Sequence, residues 1–203
     1  EKYDLNRSIF MQYMDWMTDV FTGNFGTSYR YDKPVSYMIG LRLPNTLKLG
    51  FTAFFISLIV SQPLGIISAL KHNKILDHIS RIFVLFTSSF PSFWVAIVLI
   101  IVCALKFKLF PVSGMDAPNS IVLPALTLSF SMMATVTRMT RASVLDVMEQ
   151  DYIWVARAKG LGRNKIIFRH ILRNALPPVI TVLGLQIGHL LGGAVIIENI
   201  FSW

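Results

Sequence analysis

The sequence predicts an all-α, polytopic helical membrane protein, and three observations support that fold class. Of the 203 residues, 54% are hydrophobic and only 15% are charged, and the mean hydropathy is +0.57. Four uncharged apolar runs have about the 20 residues that a helix needs to cross a hydrocarbon core of about 30 Å. The Lys and Arg side chains lie mainly in the links between these runs, which is typical of membrane proteins and not of a soluble helical core.

The N-terminal segment, residues 1–46, is predicted to lie outside the membrane because it carries five basic and five acidic residues. Apolar side chains recur within it at helical spacing, which predicts an amphipathic helix at the membrane surface. These side chains are Phe10, Met14, Met17 and Phe21. They could capture a ligand, but a packing stripe is the favoured interpretation because Met readily fills irregular gaps.

The four apolar runs predict four spanning helices. They are residues 49–70, 82–105, 119–137 and 175–197, with 22, 24, 19 and 23 residues. Pro63, Pro91 and Pro124 interrupt or begin the first three runs. Membrane helices tolerate proline where neighbouring helices satisfy the freed backbone groups, so these prolines favour a bundle over isolated helices.

Positive charges in the links predict the orientation of the chain. The links 71–81 and 138–176 contain three and eight Lys or Arg residues, whereas the link 106–118 between them contains two. With alternate crossings, eleven positive charges against two place the first two links in the cytoplasm and the N-terminal segment outside. Arg138 and Arg141 are interpreted as anchors of this kind in preference to substrate ligands.

The last apolar run carries two further patterns. Gly184, Gly188 and Gly192 recur every four residues, which predicts a helix-packing face where another backbone can approach closely. Gln186 and His189 are polar at membrane depth, so they either line a translocation path or form interhelical hydrogen bonds, and the sequence favours neither. His189 has no second ligand three or four residues away, so no metal site is predicted.

A basic segment, residues 151–178, separates the last two apolar runs. Asp151 is predicted to be the N-cap of a short helix that continues from Tyr152 to Lys159. Gly160 follows at the position where a C-terminal cap takes a left-handed conformation without a Cβ penalty. A second helix is predicted over 164–175, and it leads directly into the last run.

The basic segment resembles the cytoplasmic loop of ABC importer permeases, most closely that of the dipeptide, oligopeptide and nickel branch. The matching residues are Ala156-Arg157-Ala158-Lys159-Gly160-Leu161, Arg169-His170, Leu172-Arg173-Asn174-Ala175-Leu176 and Pro178. Landmarks that resemble those of the same branch lie upstream, at Gly23 to Ser28, Pro34-Val35 and Arg42 to Leu47. In this family the loop carries the EAA signature, whose short coupling helix docks into a groove on the ATPase subunit. Trp154-Val155 stand where the broad signature has Glu-Ala. The resemblance therefore implies docking to the ATPase subunit without the contact that the Glu would make.

The resemblance implies a multi-pass permease subunit of an ATP-driven importer in the bacterial cytoplasmic membrane. It implies a permease domain at 47–203 that includes a cytoplasmic coupling loop at 138–176. It also implies six membrane helices in the full chain, and the first and last of these are expected to lie outside this sequence. The residues implied in ATPase docking are Asp151, Ala156, Arg157, Ala158, Lys159, Gly160 and Leu161. The implied partners are a second homologous permease, two cytoplasmic ABC ATPase subunits, an extracytoplasmic solute-binding protein and membrane lipid. The implied substrate is a short peptide, nickel or a metal chelate, and the sequence does not separate these.

The chain is not predicted to be an enzyme or to hold a cofactor. A P-loop has the pattern G-x-x-x-x-G-K-[ST], and the nearest sequence, residues 160–165, has the wrong spacing and no hydroxyl after the Lys. ATP hydrolysis is therefore assigned to the partner subunits. Nucleic-acid binding is not expected either, since the positive charges behind the formal net charge of +8 lie beside apolar runs and not on a polar domain.

One alternative function stays open at this point, a membrane scaffold or sensor whose basic segment binds anionic lipid or a cytoplasmic signalling partner. A lipid-binding loop depends on summed charge, whereas a docking turn depends on the backbone geometry at one residue, Gly160. The two hypotheses therefore make opposite predictions for a change at Gly160 and for a change at a basic side chain.

Overall fold

A computed structural model of the chain describes residues 8–203, apart from the side chain of Leu191. Regular secondary structure in these residues is helical, and an isolated antiparallel bridge is the only β contact found among them. The chain divides into two compact units, one up to Asn45 and one from Thr46 onwards. The predicted all-α class is confirmed.

The N-terminal unit contains α1, Ile9–Phe21. Ser8 is its N-cap, because the Ser8 Oγ accepts a hydrogen bond from the backbone N–H of Met11 at 3.4 Å. The predicted helix is present, but none of its residues is buried, and Phe10 and Phe21 are 72% and 81% exposed. The predicted stripe is therefore not buried within the described residues, and its location at a membrane surface stays a prediction.

The remaining helices follow to the end of the chain, and residues 107–121 form the longest non-helical stretch among them. They are α2 (Val35–Leu70), α3 (Ile75–Ser89), α4 (Ser92–Leu99), α5 (Val122–Met148), α6 (Asp151–Ala158), α7 (Arg163–Lys165) and α8 (Arg173–Phe201). Two π-helical segments, Ile100–Lys106 and Ile166–Leu172, continue α4 and join α7 to α8. By length and composition, three helical segments can cross a membrane: Val35–Leu70, Val122–Met148 and Arg163–Leu190.

The second apolar run differs from the prediction. Its residues belong to α3 and to α4 with its π-helical continuation, and the two parts are bent by 99° at a short break. Pro91 has no N–H to donate, and it disfavours the helical region for Phe90, which has φ −105° and ψ 133°. The run over 82–105, predicted as one spanning segment that Pro91 interrupts, therefore consists of two helical parts. The two parts form either one broken membrane span, which keeps the predicted total of four spans, or a re-entrant loop that enters and leaves the membrane on the same side.

Charged residues end the apolar runs but do not end the helices. α2 begins at Val35, well before its apolar run, and α5 continues through Arg138 and Arg141 to Met148. This agrees with the high helix propensity of arginine. The short helix predicted near the end of the basic segment and the last apolar run form one helical segment over Arg163–Phe201. The predicted coupling loop is thus mostly helical.

Two clusters of buried side chains hold the second unit together. The larger cluster joins α2, α4, α5 and α8, and includes Leu49, Ala53, Ala96, Leu128, Met132, Ala194, Ile197 and Phe201. The smaller, which we call the α6 cluster, consists of Ala69, Val144, Ile153, Ala156, Ile166, Ile171 and Ala175. The members of the α6 cluster come from α6, from the ends of α2 and α5, from the π-helical segment Ile166–Leu172 and from the start of α8. The α6 cluster therefore fixes α6 to three long helices at once.

α2 and α5 lie in close contact at Gly65. A Cβ atom built on Gly65 would lie 2.7 Å from Thr140 Cβ and 2.9 Å from the carbonyl oxygen of Thr137. One turn earlier, the Ser61 Oγ donates a hydrogen bond to the carbonyl oxygen of Met133 at 3.3 Å. Small residues recur every four positions on this buried face of α2, at Ala53, Ser57, Ser61, Gly65 and Ala69. They allow the two backbones to approach closely.

Candidate coupling element and polar cleft

α6 is a two-turn helix with one buried face. Ile153 and Ala156 are 0% and 6% exposed and belong to the α6 cluster. The Tyr152 hydroxyl accepts a hydrogen bond from Asn174 Nδ2 at 3.1 Å, which adds a polar contact to α8. The N-cap is Gln150, so the prediction that Asp151 caps the helix is wrong. Asp151 lies in the first turn, where its negative charge is favourable beside the N-terminal end of the helix dipole.

The C-terminal end of α6 has the predicted left-handed glycine. Gly160 has φ +74°, and its N–H donates to the carbonyl oxygen of Arg157 at 2.9 Å. The N–H of Leu161 donates to the carbonyl oxygen of Ala156 at 3.3 Å. These two bonds form a Schellman motif, in which the residues after the helix satisfy its last carbonyl groups. A Cβ atom on Gly160 would meet nothing within 4 Å, so the requirement for glycine comes from φ and not from space.

The opposite side of α6 is exposed and carries both apolar and basic groups. Trp154 and Val155 are 60% and 51% exposed, and the guanidinium of Arg157 lies 4.9 Å from the centre of the Trp154 ring. Ala158 and Lys159 are exposed next to them. We call these five residues the α6 outer face.

The seven residues implied in ATPase docking therefore fall into different groups. Arg157, Ala158 and Lys159 lie on the α6 outer face, whereas Ala156 and Leu161 pack against the α6 cluster. Trp154 and Val155, which depart from the broad family signature, supply the exposed apolar side chains of this face. The sequence did not assign them to the site, although two large apolar residues in a basic helix were a usable signal.

A buried ion pair supports this end of the unit. Arg141 Nε lies 2.7 Å from Asp77 Oδ1, and Arg141 Nη2 lies 2.9 Å from Asp77 Oδ2. The Ser68 Oγ donates to Asp77 Oδ1 at 2.6 Å, and the N–H of Asn73 donates to Asp77 Oδ2 at 2.9 Å. Asp77 is 0% exposed. The pair joins α2, α3 and α5, so Arg141 forms an internal contact that its interpretation as a membrane anchor did not anticipate.

A polar cleft lies between α5 and α8. It has a volume of about 580 Å³, and its lining includes Ser131 and Thr135 of α5 and Gln186 and His189 of α8. The structure therefore brings the two predicted polar residues of the last run to one cleft and adds two hydroxyl groups. No group of three or more His, Cys, Asp or Glu side chains in residues 8–203 is arranged to hold a metal.

The glycine face of α8 is open. Gly184, Gly188 and Gly192 are all exposed, and a Cβ atom built on any of them would meet nothing within 4 Å. Within the described chain, no helix approaches this face. The predicted close packing at these glycines therefore stays a prediction about a helix outside the described residues.

Comparison with known proteins identifies one family. The family model described as "Binding-protein-dependent transport system inner membrane component" matches residues 61–203. The oligopeptide transport system permease protein AppB of Bacillus subtilis is 41% identical, covering 100% of this chain and 68% of that protein. The dipeptide transport system permease protein DppB of Lactococcus lactis is 37% identical over 98% of this chain and 66% of that protein.

A third relative and a solved structure agree with this result. The metal-staphylopine import system permease protein CntB of Staphylococcus aureus is 36% identical, covering 100% of this chain and 65% of that protein. The chain thus spans about two thirds of the length of these relatives. The crystal structure of an amino acid ABC transporter with histidines matches with a TM-score of 0.56 and 18% identity, over 96% of this chain and 77% of that chain. At this identity the match shows the fold alone.

Proposed function

Because the chain belongs to the family of inner membrane components of binding-protein-dependent transport systems, we propose that it forms half of the translocation path of an ATP-driven importer. In this proposal, α6 is the coupling helix through which the ATPase subunits act. The chain is a multi-pass protein of the bacterial cytoplasmic membrane, and its relatives are permease subunits. ATP hydrolysis is assigned to the partner subunits.

The observation that carries the proposal is the two-sided construction of α6. Ile153 and Ala156 on its inner side pack into the α6 cluster, while Trp154 and Arg157 on its outer side are available to a cytoplasmic partner. Close-packed protein interiors transmit strain. A partner that moves α6 would therefore move the ends of α2, α5 and α8 together. The ion pair of Asp77 with Arg141 would make α3 follow α5.

The polar cleft is the proposed contribution of this chain to the translocation path. Its hydroxyl, amide and imidazole groups can exchange hydrogen bonds with the polar atoms of a peptide or of a metal chelate. The cleft is open on one side, so a second permease would have to complete the path. The glycine face of α8 offers a surface on which helices of that second permease can approach closely.

The relatives suggest the substrate class and the remaining partners. Their names refer to oligopeptides, dipeptides and metal-staphylopine, so a short peptide or a metal chelate is proposed as the substrate. The proposed assembly contains a second homologous permease, two cytoplasmic ABC ATPase subunits and an extracytoplasmic solute-binding protein. Each of these assignments follows from the family and not from a pocket that distinguishes the substrates.

Site-specific photocross-linking tests the proposed coupling role. A photoreactive amino acid at Val155, on the α6 outer face, is expected to form an adduct with the ATPase subunit in membranes that contain the assembled transporter. The same amino acid at Asp116, in the link predicted to lie on the other side of the membrane, serves as the control and should give no such adduct. Adducts of Val155 with lipid alone would contradict the proposal and would favour the scaffold or sensor function.

A further inference from the structure

A second cleft, between α3 and α5, plays no part in the proposed transport function. It has a volume of about 310 Å³ and lies beside the ion pair of Asp77 with Arg141. Its lining residues are Ser80, Arg81, Val84, Leu85, Thr137, Arg138 and Arg141. We call it the arginine cleft.

The arginine cleft carries an excess of positive charge. Three guanidinium groups line it, and the nearest carboxylate, that of Asp77, is engaged by two hydrogen bonds from Arg141. Arg81 Nη2 lies 3.9 Å from Asp77 Oδ2 and donates to His78 Nδ1 at 2.8 Å, which leaves its other N–H groups available. The side chain of Arg138 has no hydrogen bond or ion pair with any described residue. Three positive charges and one negative charge give a formal charge of +2.

Two buried hydroxyl groups in the same lining have no partner. Ser80 and Thr137 are 3% and 1% exposed, and the Ser80 Oγ and the Thr137 Oγ1 form no hydrogen bond in the described chain. A buried polar group that lacks a partner destabilises the folded state, so such groups normally face a ligand, an ion or water. Hydroxyl donors next to guanidinium groups suit an anion with several acceptor oxygens.

We propose that the arginine cleft binds a phosphate-bearing anion, held by Arg81 and Arg138 and by the hydroxyl groups of Ser80 and Thr137. The ligand would connect α3 to α5 on one side of the buried ion pair. Phosphate oxygens can accept hydrogen bonds from several of these donors at once, which a chloride ion cannot match geometrically.

The surroundings of the arginine cleft favour a phospholipid headgroup as the source of the phosphate. Ile79, Ile82 and Phe86 recur at helical spacing on α3, and they are 55%, 65% and 52% exposed. Leu85, which lines the arginine cleft, is 62% exposed. An anionic lipid could place its phosphate in the arginine cleft and its acyl chains along these apolar side chains. The positive-inside orientation would place the cleft at the cytoplasmic leaflet.

Lipid retention by the purified transporter tests the inference. The assembled complex is reconstituted in nanodiscs of equal phosphatidylglycerol and phosphatidylcholine with identical acyl chains, extracted in a neutral detergent, and analysed for bound lipid by native mass spectrometry. The wild-type complex is expected to retain phosphatidylglycerol selectively. Arg138→Gln should weaken that retention about fivefold or more, because one positive charge near a lipid phosphate contributes about 1 kcal/mol.

Two further variants separate a specific site from general attraction. Thr137→Val removes the buried hydroxyl at nearly constant volume, and it should also reduce the retention of phosphatidylglycerol. Arg169→Gln removes the same charge from an exposed position outside the arginine cleft, and it should leave retention unchanged. Equal losses of bound phosphatidylglycerol in Arg138→Gln and Arg169→Gln would overturn the inference. It would also be overturned if the wild-type complex retained phosphatidylglycerol and phosphatidylcholine equally and did not respond to inorganic phosphate.

Inorganic phosphate distinguishes the two sources of the ligand. If inorganic phosphate raises the thermal stability of the complex in neutral detergent, Arg138→Gln removes that gain, and phosphatidylglycerol is not retained selectively, the ligand is a free phosphate group. If phosphatidylglycerol is retained selectively, with or without a response to inorganic phosphate, the ligand is the lipid. A complex that responds to neither compound does not contain the proposed site.

Discussion

Small residues recur every four positions on both α2 and α8, but only the face on α2 is packed within the described chain. A Cβ atom on Gly65 of α2 would lie 2.7 Å from Thr140 Cβ, whereas a Cβ atom on Gly188 of α8 would meet nothing within 4 Å. The spacing is the same on both helices, so the difference lies in whether the described residues supply the neighbouring helix. The α2 face holds α2 against α5, and the α8 face is free to meet a helix outside the described residues.

The largest effect is expected at the polar contact that fixes α2 to α3 and α5. Asp77→Ala would leave Arg141 without its buried partner, which should lower the free energy of unfolding by about 3 to 5 kcal/mol. Denaturation of the purified chain in SDS and mild detergent measures this change. Asp146→Ala, an exposed acid on α5, is the control and should change stability little. Equal stability of the two variants would show that the ion pair does not fix α2.

The same substitution at two glycines compares the two faces directly. Gly65→Ala should lower the free energy of unfolding by about 1 to 3 kcal/mol, because the new Cβ atom forces α2 away from the Thr137 carbonyl group. Gly188→Ala should not lower the stability of the isolated chain, since its Cβ atom meets open space and alanine favours a helix more than glycine does. Unfolding curves of the two variants, measured without partner subunits, check this contrast. It would be contradicted if Gly188→Ala were as destabilising as Gly65→Ala.

A larger side chain at Gly188 tests whether the open face meets a second permease. Gly188→Leu should leave insertion and single-chain stability intact and lower the yield of the paired permease complex, because a bulky side chain prevents close approach. Co-purification of the two differently tagged permeases measures this effect. Unchanged yield and thermal stability of the complex would show that this face is exposed to lipid.

The smallest effect on assembly is expected from a substitution in the polar cleft between α5 and α8. Gln186→Leu should lower substrate uptake severalfold in proteoliposomes without changing the co-purification of any subunit, since it removes hydrogen-bonding groups from the cleft only. Thr181→Val, at an exposed position on α8 outside that lining, is the control. Loss of subunits from Gln186→Leu would instead place Gln186 in an interface.

Features set by local sequence were predictable. Gly160 takes its left-handed conformation because its neighbours complete a Schellman motif, and all of the groups involved lie within six consecutive residues. The apolar runs predicted most of the membrane-crossing segments, since length and hydrophobicity decide whether a helix can cross. Gln186 and His189 were found because polar side chains are unusual at membrane depth.

Features set by contacts distant in sequence were not predictable in the same way. Asp77 and Arg141 lie 64 positions apart, and nothing in either local sequence identifies the other as its partner. The only signal was a lone acid in the link 71–81. The packed face of α2 was missed because it consists mainly of Ser and Ala, with a single Gly65. Pro91 was recognised, but its sequence context does not show whether proline bends a helix or ends it.

Gly160 provides the most direct test of the coupling role. At φ +74° a β-branched residue costs about 1 to 2 kcal/mol, so Gly160→Val should displace the turn after α6 without preventing the chain from folding. Arg163→Gln removes a charge just after that turn and leaves the turn itself intact. Both variants are compared in matched membranes by ATPase co-purification and by substrate-stimulated ATP hydrolysis.

The expected result is that Gly160→Val inserts and pairs with its sister permease but loses the ATPase subunits and the stimulated hydrolysis, whereas Arg163→Gln retains most of both. The opposite order, with Arg163→Gln the more damaging variant, would show that the basic segment acts through its charge. That result would contradict the coupling role of α6 and would support a scaffold or sensor.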